Sequence, residues 1–247
     1  MSDKELKVQV LRPFGPPIIK VKIPNEIIVK INDYSELVFN DEKKLKELDH
    51  GDQLAGNVTQ EFLLEEKFAT DSGWLKFLSL VSSHVIKSFL NKDLKNLNIT
   101  STWIVRQFQN EYNPVHNHTG CQVSAVLYLK IPKDIKGRRK MPSKESRQDN
   151  DGDINFIYSS DSQRPGDVLN RGITQFVPLP GMLAIFPSYL LHTVYPFIGE
   201  GERRSIAFNA CYTIKSKEGQ YVAGDTSEFN PYETFYGYEK PKWKTIL

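Results

Sequence analysis

The chain has 247 residues, enough for one large domain or for a domain with an appendage. Its 32 basic and 30 acidic residues give a formal net charge of +2, so the charge gives no reason to expect nucleic acid or an acidic membrane as a partner. The two cysteines, Cys121 and Cys211, are too few for a disulfide framework and fit the reducing cytoplasm. The charged residues 1–5 are not followed by an apolar core, so we expect no signal peptide, and no apolar run approaches the ~18 residues of a membrane span.

The first hundred residues favour helices that support a later sheet. Residues 7–23 carry prolines among valines and isoleucines, which predicts extended strand interrupted by turns. Apolar residues at helical spacing predict a helix over residues 27–48. A second helix is predicted over residues 74–89, where an apolar stripe follows Asp71 and Ser72, either of which can cap the helix.

From residue 100 onward the pattern changes to short strands separated by turn signals. Strands are predicted to begin at 103–105 and to follow at 121–131, 154–158, 173–177, 182–186, 192–197 and 203–214. Such a series is typical of a β-sandwich or barrel. The intervening stretch 133–153 is rich in Lys, Arg, Asp, Ser and Gly, and it predicts a surface loop that is either a lid over a site or a plain insertion.

Two of these strands have one apolar face and one polar face. In the strand 203–214, Arg203 and Ser205 fall on one side, while Arg204 falls on the other with Ile206. The apolar faces are expected to pack under the N-terminal helices. The polar faces are expected to line a pocket, because buried polar groups need partners. Arg204, which points away from this pocket, is predicted to be a surface charge.

Three of the five histidines have the spacing of metal ligands. His116 and His118 are separated by one residue, so on an extended strand their side chains point to the same side and can reach one ion. His192, on a later strand, would complete one face of an octahedron and leave the opposite positions open for substrate and oxygen. Imidazole suits iron, zinc, copper and nickel alike.

Longer motifs around these histidines resemble the Fe(II)- and 2-oxoglutarate-dependent oxygenases, and in particular the prolyl-hydroxylase-like branch found in bacteria and phages. The runs that carry the resemblance are 112–118, 124–129, 180–192 and 203–209. The resemblance implies a mainly β fold, a double-stranded β-helix (jelly-roll, cupin-like) with N-terminal supporting helices. It also implies a single oxygenase domain over 1–247, in which 1–99 form the support, 100–214 the core and 215–247 a C-terminal extension.

The resemblance assigns His116 and His192 directly to iron binding. His118 stands where the family usually has Asp or Glu, and we predict that it is the third metal ligand. If it is not, a water or a carboxylate such as Asp151 or Asp153 from the loop would fill that position.

The resemblance also assigns the residues that hold 2-oxoglutarate. Arg203 corresponds to the arginine that binds the far carboxylate of the cosubstrate, and Ser205 corresponds to the serine that often follows it by two residues. A guanidinium matches a carboxylate bidentately, which a lysine cannot do. Tyr128 corresponds to a tyrosine that commonly helps to hold the same carboxylate.

The implied reaction consumes 2-oxoglutarate and O2 at Fe(II), releases succinate and CO2, and hydroxylates a C–H bond of a protein side chain, such as a prolyl group, or of a small molecule. We expect it to run in the cytoplasm, which is the host cytoplasm if a phage encodes the protein. Two alternatives remain. One is a cupin-like metal protein. In cupins, however, a glutamate ligand follows the HxH motif within a few residues, whereas the next acidic residue after His118 is Asp134. The other is a catalytically inactive barrel with a structural or binding role.

Overall fold

The computed structural model describes residues 8–11, 15–90, 94–132, 151–158 and 172–214. The helices in these ranges are α1 (Asn25–Phe39), α2 (Glu42–Leu48), α3 (Glu66–Asp71) and α4 (Trp74–Leu90). The strands are β1 (Val8–Leu11), β2 (Ile18–Lys22), β3 (Gln60–Leu63), β4 (Leu94–Gln107), β5 (Asn113–His116), β6 (Val123–Lys130), β7 (Ile154–Ile157), β8 (Ile173–Phe176), β9 (Met182–Pro187), β10 (Leu191–Val194) and β11 (Arg203–Ile214). The predicted extension at 215–247 and residues 133–150 of the predicted loop lie outside the described residues.

The helix predicted over 27–48 is in fact two helices, α1 and α2. Asp41 separates them, because its backbone is extended, at φ −121° and ψ 96°. Its side chain accepts a hydrogen bond from the backbone N–H of Lys44 at 3.0 Å, which caps the start of α2. The apolar spacing correctly predicts helical structure in both segments, but it does not reveal the capping residue between them.

Helix α4 matches its prediction closely, and Ser72 is the residue that caps it. The Ser72 hydroxyl accepts from the backbone N–H of Trp74 at 3.3 Å, whereas Asp71 is the last residue of α3. The indole N–H of Trp74 donates to the hydroxyl of Thr102 at 3.2 Å, which ties the start of the helix to β4. No helix of the described residues is long and apolar enough to cross a membrane.

Strands β4 to β11 are distributed over two antiparallel sheets. The larger sheet has the order β1-β2-β9-β6-β11-β4-β3, and the smaller sheet has the order β5-β10-β7-β8. Strands β4, β6, β9 and β11 therefore lie in one sheet, and β5, β7, β8 and β10 lie in the other. Eight strands arranged in this way form a double-sheet jelly roll. The predicted double-stranded β-helix is confirmed.

The larger sheet has an outer face under the helices and an inner face toward the smaller sheet. On the outer face, side chains such as Leu127 and Phe208 join the buried core of α1 and α4. On the inner face, Tyr128 and Phe186 pack with Phe156 of the smaller sheet. The alternation of faces predicted for these strands is confirmed, and it decides which side chains can reach the space between the sheets.

Candidate metal centre and cosubstrate site

His116 and His192 meet across a strand pair that joins two distant parts of the chain. His116 is the last residue of β5, and His192 is the second residue of β10. They are direct partners in the antiparallel register, and their ring centroids are 4.2 Å apart. Because side chains of directly paired residues lie on the same face of a sheet, this pairing places both rings on one side of the smaller sheet.

His118 reaches the same point from outside the strand. β5 ends at His116, so the prediction that His116 and His118 share one face of an extended strand is wrong in this detail. The backbone N–H of His118 instead donates to the carbonyl oxygen of Ser188 at 3.0 Å, which holds the segment after β5 against the turn between β9 and β10. The centroid of the His118 ring lies 5.2 Å from that of His116 and 5.1 Å from that of His192.

The three rings form one possible metal-binding group. One ring nitrogen from each histidine lies within 4.8 Å of the others, and the Nε2 atoms of His118 and His192 are 3.2 Å apart. No carboxylate of the described residues belongs to the group, so the alternative ligands Asp151 and Asp153 are not part of it. Asp153 is buried, and one of its carboxylate oxygens accepts a hydrogen bond from the side-chain amide of Gln175. The role of the three histidines as ligands stays a prediction.

Backbone carbonyls orient two of the rings. Nδ1 of His116 lies 2.7 Å from the carbonyl oxygen of Pro114, and Nδ1 of His192 lies 2.9 Å from that of Leu190. Since a carbonyl oxygen only accepts, Nδ1 carries the hydrogen in each neutral ring, and Nε2 keeps its lone pair. A hydrogen bond from the far ring nitrogen is the common way in which proteins orient metal-binding histidines.

Burial keeps the three imidazoles neutral. Desolvation, together with the nearby ring of His116, lowers the pKa of His192 to about 3. Burial and the two neighbouring rings hold the pKa of His118 well below its usual value, and burial also lowers the pKa of His116. A neutral imidazole is the form that binds a metal. The donor set therefore fits a divalent ion such as Fe(II) at neutral pH.

Aromatic side chains from both sheets surround the rings. The centroids of Phe156 and Phe186 lie 6.0 and 4.9 Å from that of His192, and the centroid of Trp103 lies 5.9 Å from that of His118. Apolar walls limit the access of water and lower the local dielectric constant, which strengthens the electrostatic interactions inside the site.

Arg203 provides a buried positive charge, and some of its hydrogen-bond donors have no partner. It is the first residue of β11, lies on the inner face and is 2% exposed. Its Nη1 donates to Oε1 of Gln107, whereas Nε and Nη2 have no hydrogen-bond partner. A buried guanidinium is costly unless an anion compensates it. Its unused edge therefore fits the two oxygens of a carboxylate.

Tyr128 and Ser205 lie beside Arg203 on the inner face. They are direct partners on β6 and β11, both are buried, and the hydroxyl of Tyr128 has no hydrogen-bond partner. The guanidinium carbon of Arg203 lies 5.0 Å from the centre of the Tyr128 ring. Burial raises the pKa of Tyr128, so the hydroxyl keeps its proton and can donate. The structure brings the three predicted cosubstrate residues together, and their binding role stays a prediction.

Gln107 and Asn113 connect this region to the strands of the candidate metal centre, and the sequence motifs assign a role to neither. Nε2 of Gln107 donates to Oδ1 of Asn113 at 2.9 Å, and Asn113 begins β5, the strand that ends at His116. The sequence signal that could have found Gln107 is the alternation of side chains between the two faces of the strand, which continues from Trp103 to Gln107. Gln107 is the residue that pairs with Arg203 in the register. The sequence predicts that this strand begins at 103–105, whereas β4 extends from Leu94 to Gln107.

Arg204 is buried, so its prediction as a surface charge is wrong. Its Nη2 forms ion pairs with the carboxylates of Glu202 and, at 2.7 Å, of Glu36, and its Nη1 donates to the side-chain oxygen of Asn32 at 3.2 Å. Glu36 and Asn32 belong to α1, and Glu36 precedes Arg204 by 168 residues. Local sequence therefore could not reveal these partners.

Comparison with known families agrees with this geometry. Residues 101–209 match the family model described as "Putative 2OG-Fe(II) oxygenase". The matched range contains every residue proposed above for the metal centre and the cosubstrate site. No curated protein sequence matches the chain.

Several solved structures are similar in overall shape at low sequence identity. A prolyl-4-hydroxylase from Pseudomonas putida is 16% identical, with 85% of this chain and 92% of that chain covered and a TM-score of 0.49. A viral collagen prolyl hydroxylase from Paramecium bursaria Chlorella virus-1 is 13% identical, with 78% and 94% covered and a TM-score of 0.47. HygX from Streptomyces hygroscopicus, with nickel and 2-oxoglutarate bound, is 13% identical, with 77% and 82% covered and a TM-score of 0.43.

The strand order and the histidine group define a double-stranded β-helix with a candidate metal centre between its sheets. The family-model match confirms the resemblance that the motifs indicated. Residues 101–209 match the model of a family of 2OG-Fe(II) oxygenases, enzymes whose cofactors are Fe(II), 2-oxoglutarate and O2. This range contains strands β5 to β10, half of β4 and just over half of β11.

Proposed function

We propose that the protein is an Fe(II)- and 2-oxoglutarate-dependent dioxygenase that hydroxylates a C–H bond of a protein side chain, such as a prolyl group, or of a small molecule. One observation carries this proposal. The group of three neutral imidazoles lies in the same fold as Arg203, a buried arginine whose Nε and Nη2 groups have no hydrogen-bond partner. The first feature suits a divalent metal, and the second suits the far carboxylate of 2-oxoglutarate.

His116, His118 and His192 would hold Fe(II). Because the three ligands are neutral, they leave the double positive charge of the ion uncompensated, and this favours an anionic cosubstrate. When bound, Fe(II) with 2-oxoglutarate and O2 supplies the oxidation: one oxygen atom enters the succinate that forms as CO2 leaves, and the other enters the substrate C–H bond as a hydroxyl group. The protein contributes position and protection from water.

Arg203 and Tyr128 would orient the cosubstrate. The Nε and Nη2 groups of Arg203 and the hydroxyl of Tyr128 are buried donors without partners, so all three can donate to one carboxylate. The hydroxyl of Ser205, on the same face, would add a further donor. A carboxylate bound here would satisfy donors that are otherwise costly to bury.

One observation favours a second candidate, the catalytically inactive barrel. His118 replaces the carboxylate that the family usually supplies, and three imidazoles bind Fe(II) without the charge compensation of an acidic ligand. The cupin-like alternative is not favoured, because no carboxylate of the described residues belongs to the histidine group.

The decisive experiment measures succinate formed from 2-oxoglutarate by the protein loaded with Fe(II), with and without proline-containing peptides. We expect slow succinate formation without substrate and faster formation with a suitable peptide. Binding of both Fe(II) and 2-oxoglutarate without succinate would identify the inactive barrel. A protein that binds neither would overturn the proposal.

The place of His118 in the metal centre has its own test. We expect His118→Ala to weaken Co(II) or Fe(II) binding by more than about 100-fold, because a direct ligand matters more than the outer partners whose loss costs 10–100-fold. His50→Ala is the control, since His50 lies outside the group. Equal metal affinity in the two variants would remove His118 from the ligand set.

We also propose that the protein acts in the cytoplasm, which is the host cytoplasm if a phage encodes it. Its two cysteines, Cys121 and Cys211, are both free thiols, and free thiols persist in a reducing compartment.

A further inference from the structure

We infer that Gln107 is a positioning residue for 2-oxoglutarate: it holds Arg203 through a neutral amide, so that the guanidinium keeps both its charge and its binding edge for the cosubstrate. This inference rests on the proposed function. It concerns a residue outside the motifs that carry the family resemblance.

The register of the sheet places the two side chains together. Gln107 and Arg203 are direct partners on β4 and β11, they lie on the inner face, and they are 1% and 2% exposed. Oε1 of Gln107 accepts from Nη1 of Arg203. The bond uses the end of the guanidinium that lies away from Nε, so the edge formed by Nε and Nη2 stays without a partner.

The opposite end of the Gln107 amide is fixed as well. Its Nε2 donates to Oδ1 of Asn113 at 2.9 Å, so the oxygen of the amide must face Arg203. The backbone carbonyl of Asn113 accepts from the hydroxyl of Thr193 at 2.8 Å. Asn113 begins β5, which ends at His116, and Thr193 follows His192 on β10. The chain of hydrogen bonds therefore connects the arginine to both strands that carry paired histidines.

The neutrality of Gln107 matters as much as its position. A glutamate of the same shape would pair with Arg203, cancel its charge and compete with the far carboxylate of 2-oxoglutarate. The adjacent Arg204 shows the other arrangement, since it forms ion pairs with Glu202 and Glu36. One arginine is thus neutralised by the fold, and the other is held by an amide.

The test compares Gln107→Glu with the wild type and with a matched control. Gln60→Glu is that control, because Gln60 also accepts from an arginine, Nη1 of Arg106 at 3.1 Å, but on the outer face of the neighbouring strand. Dissociation constants are measured by calorimetry on the Fe(II)-loaded protein without oxygen, for 2-oxoglutarate and for 2-oxobutyrate, which lacks the far carboxylate. Circular dichroism melting confirms that each variant is folded.

We expect Gln107→Glu to weaken 2-oxoglutarate binding by about 30-fold, the size of a lost charge-assisted contact, and to change 2-oxobutyrate binding by less than about threefold. Gln107→Leu, which leaves Arg203 charged but loosely held, should weaken 2-oxoglutarate binding by about fivefold. Gln60→Glu should leave both constants unchanged.

Two results would overturn the inference. One is unchanged 2-oxoglutarate affinity in Gln107→Glu, and the other is an equal loss for both ligands, which would mean that Gln107 only supports the fold. A wild-type protein that binds metal but no 2-oxoglutarate would instead overturn the proposed function, and the inference with it.

Discussion

Arg203 and Arg204 are consecutive residues of β11 with opposite surroundings. Arg204, on the outer face, forms ion pairs with Glu202 and Glu36 beneath α1. Arg203, on the inner face, donates to the neutral amide of Gln107, and its Nε and Nη2 have no hydrogen-bond partner. Both are completely or almost completely buried. The same residue type therefore supports the fold on one face of the sheet and is available to a ligand on the other.

Two buried carboxylates show the same contrast. Burial by itself would raise the pKa of Glu202 on the outer side, but Arg106, Arg204 and Lys130 lower it below its ordinary value. On the inner face, burial raises the pKa of Glu61 to about 7, and the acidic neighbours Asp49 and Glu111 add to the effect. The charge of Glu202 on the outer face is compensated within the chain, whereas a charge on Glu61 at the inner face carries an uncompensated electrostatic cost.

The largest effect is expected at the metal centre. His192→Ala removes a ring that contacts both other histidines, so metal binding should fall by more than about 100-fold and succinate formation should stop. Isothermal calorimetry with Co(II) measures the first effect. His84→Ala, on the exposed side of α4, is the control. Stoichiometric metal in the purified His192→Ala protein would contradict the assignment.

The second prediction exchanges each arginine for methionine, which keeps much of the length and removes the charge. Arg203→Met should weaken 2-oxoglutarate binding by about 100-fold, or about 2.7 kcal/mol, since it removes charge-assisted hydrogen bonds. Metal binding should be unchanged, and the free energy of unfolding should not fall, because no carboxylate hydrogen-bonds to this guanidinium and its burial carries a cost. Calorimetry and urea unfolding measure the two quantities.

Arg204→Met should do the reverse. The substitution leaves Glu202 buried without one of its cationic partners, so we expect the free energy of unfolding to fall by about 2–3 kcal/mol. This is slightly less than the cost of removing the sole partner of a buried charge, because Glu202 keeps Arg106 and Lys130. The affinity for 2-oxoglutarate should stay the same. Equal stability losses in Arg203→Met and Arg204→Met would remove the distinction between the two faces.

Local patterns in the sequence were enough to predict β6 and β11 with their faces, but they did not predict β3 or the first half of β4. The alternation of residues over 203–214 reproduces β11 from end to end, and the motif around His192 contains a member of the three-histidine group. The surroundings of Arg204 were not predictable, because its partner Glu36 lies on a helix far away in the sequence. Tertiary contacts decide the state of a charged side chain, and a single sequence does not show them.

Gln107 was missed for a related reason. Its role depends on its position opposite Arg203 in the register, and that register follows from the pairing of β4 with β11 over a separation of 96 residues. The end of β5 at His116 is not predictable from the sequence either, because the contact of His118 with Ser188 involves backbone atoms, which leave no trace in residue type.

The smallest predicted effect concerns the inner-face carboxylate. In the folded protein the pKa of Glu61 is about 7, against an ordinary value of 4.5, so the folded state binds more protons between these two pH values. Stability contributed by the neutral acid is therefore present below about pH 4.5 and is lost as the pH rises toward 7. We expect Glu61→Gln, which is permanently neutral, to raise the free energy of unfolding by about 1–2 kcal/mol at pH 8 and to change little at pH 4.

Urea unfolding at the two pH values measures this effect, and Glu202→Gln gives the opposite control. The pKa of Glu202 is lowered, so its charged form stabilises the fold above about pH 4.5, and its replacement should destabilise the protein at pH 8. A Glu61→Gln variant that gains the same stability at both pH values would show that packing, and not the cost of a buried charge, explains the gain. Loss of stability in both variants at pH 8 would mean that carboxylates on the two faces are compensated alike.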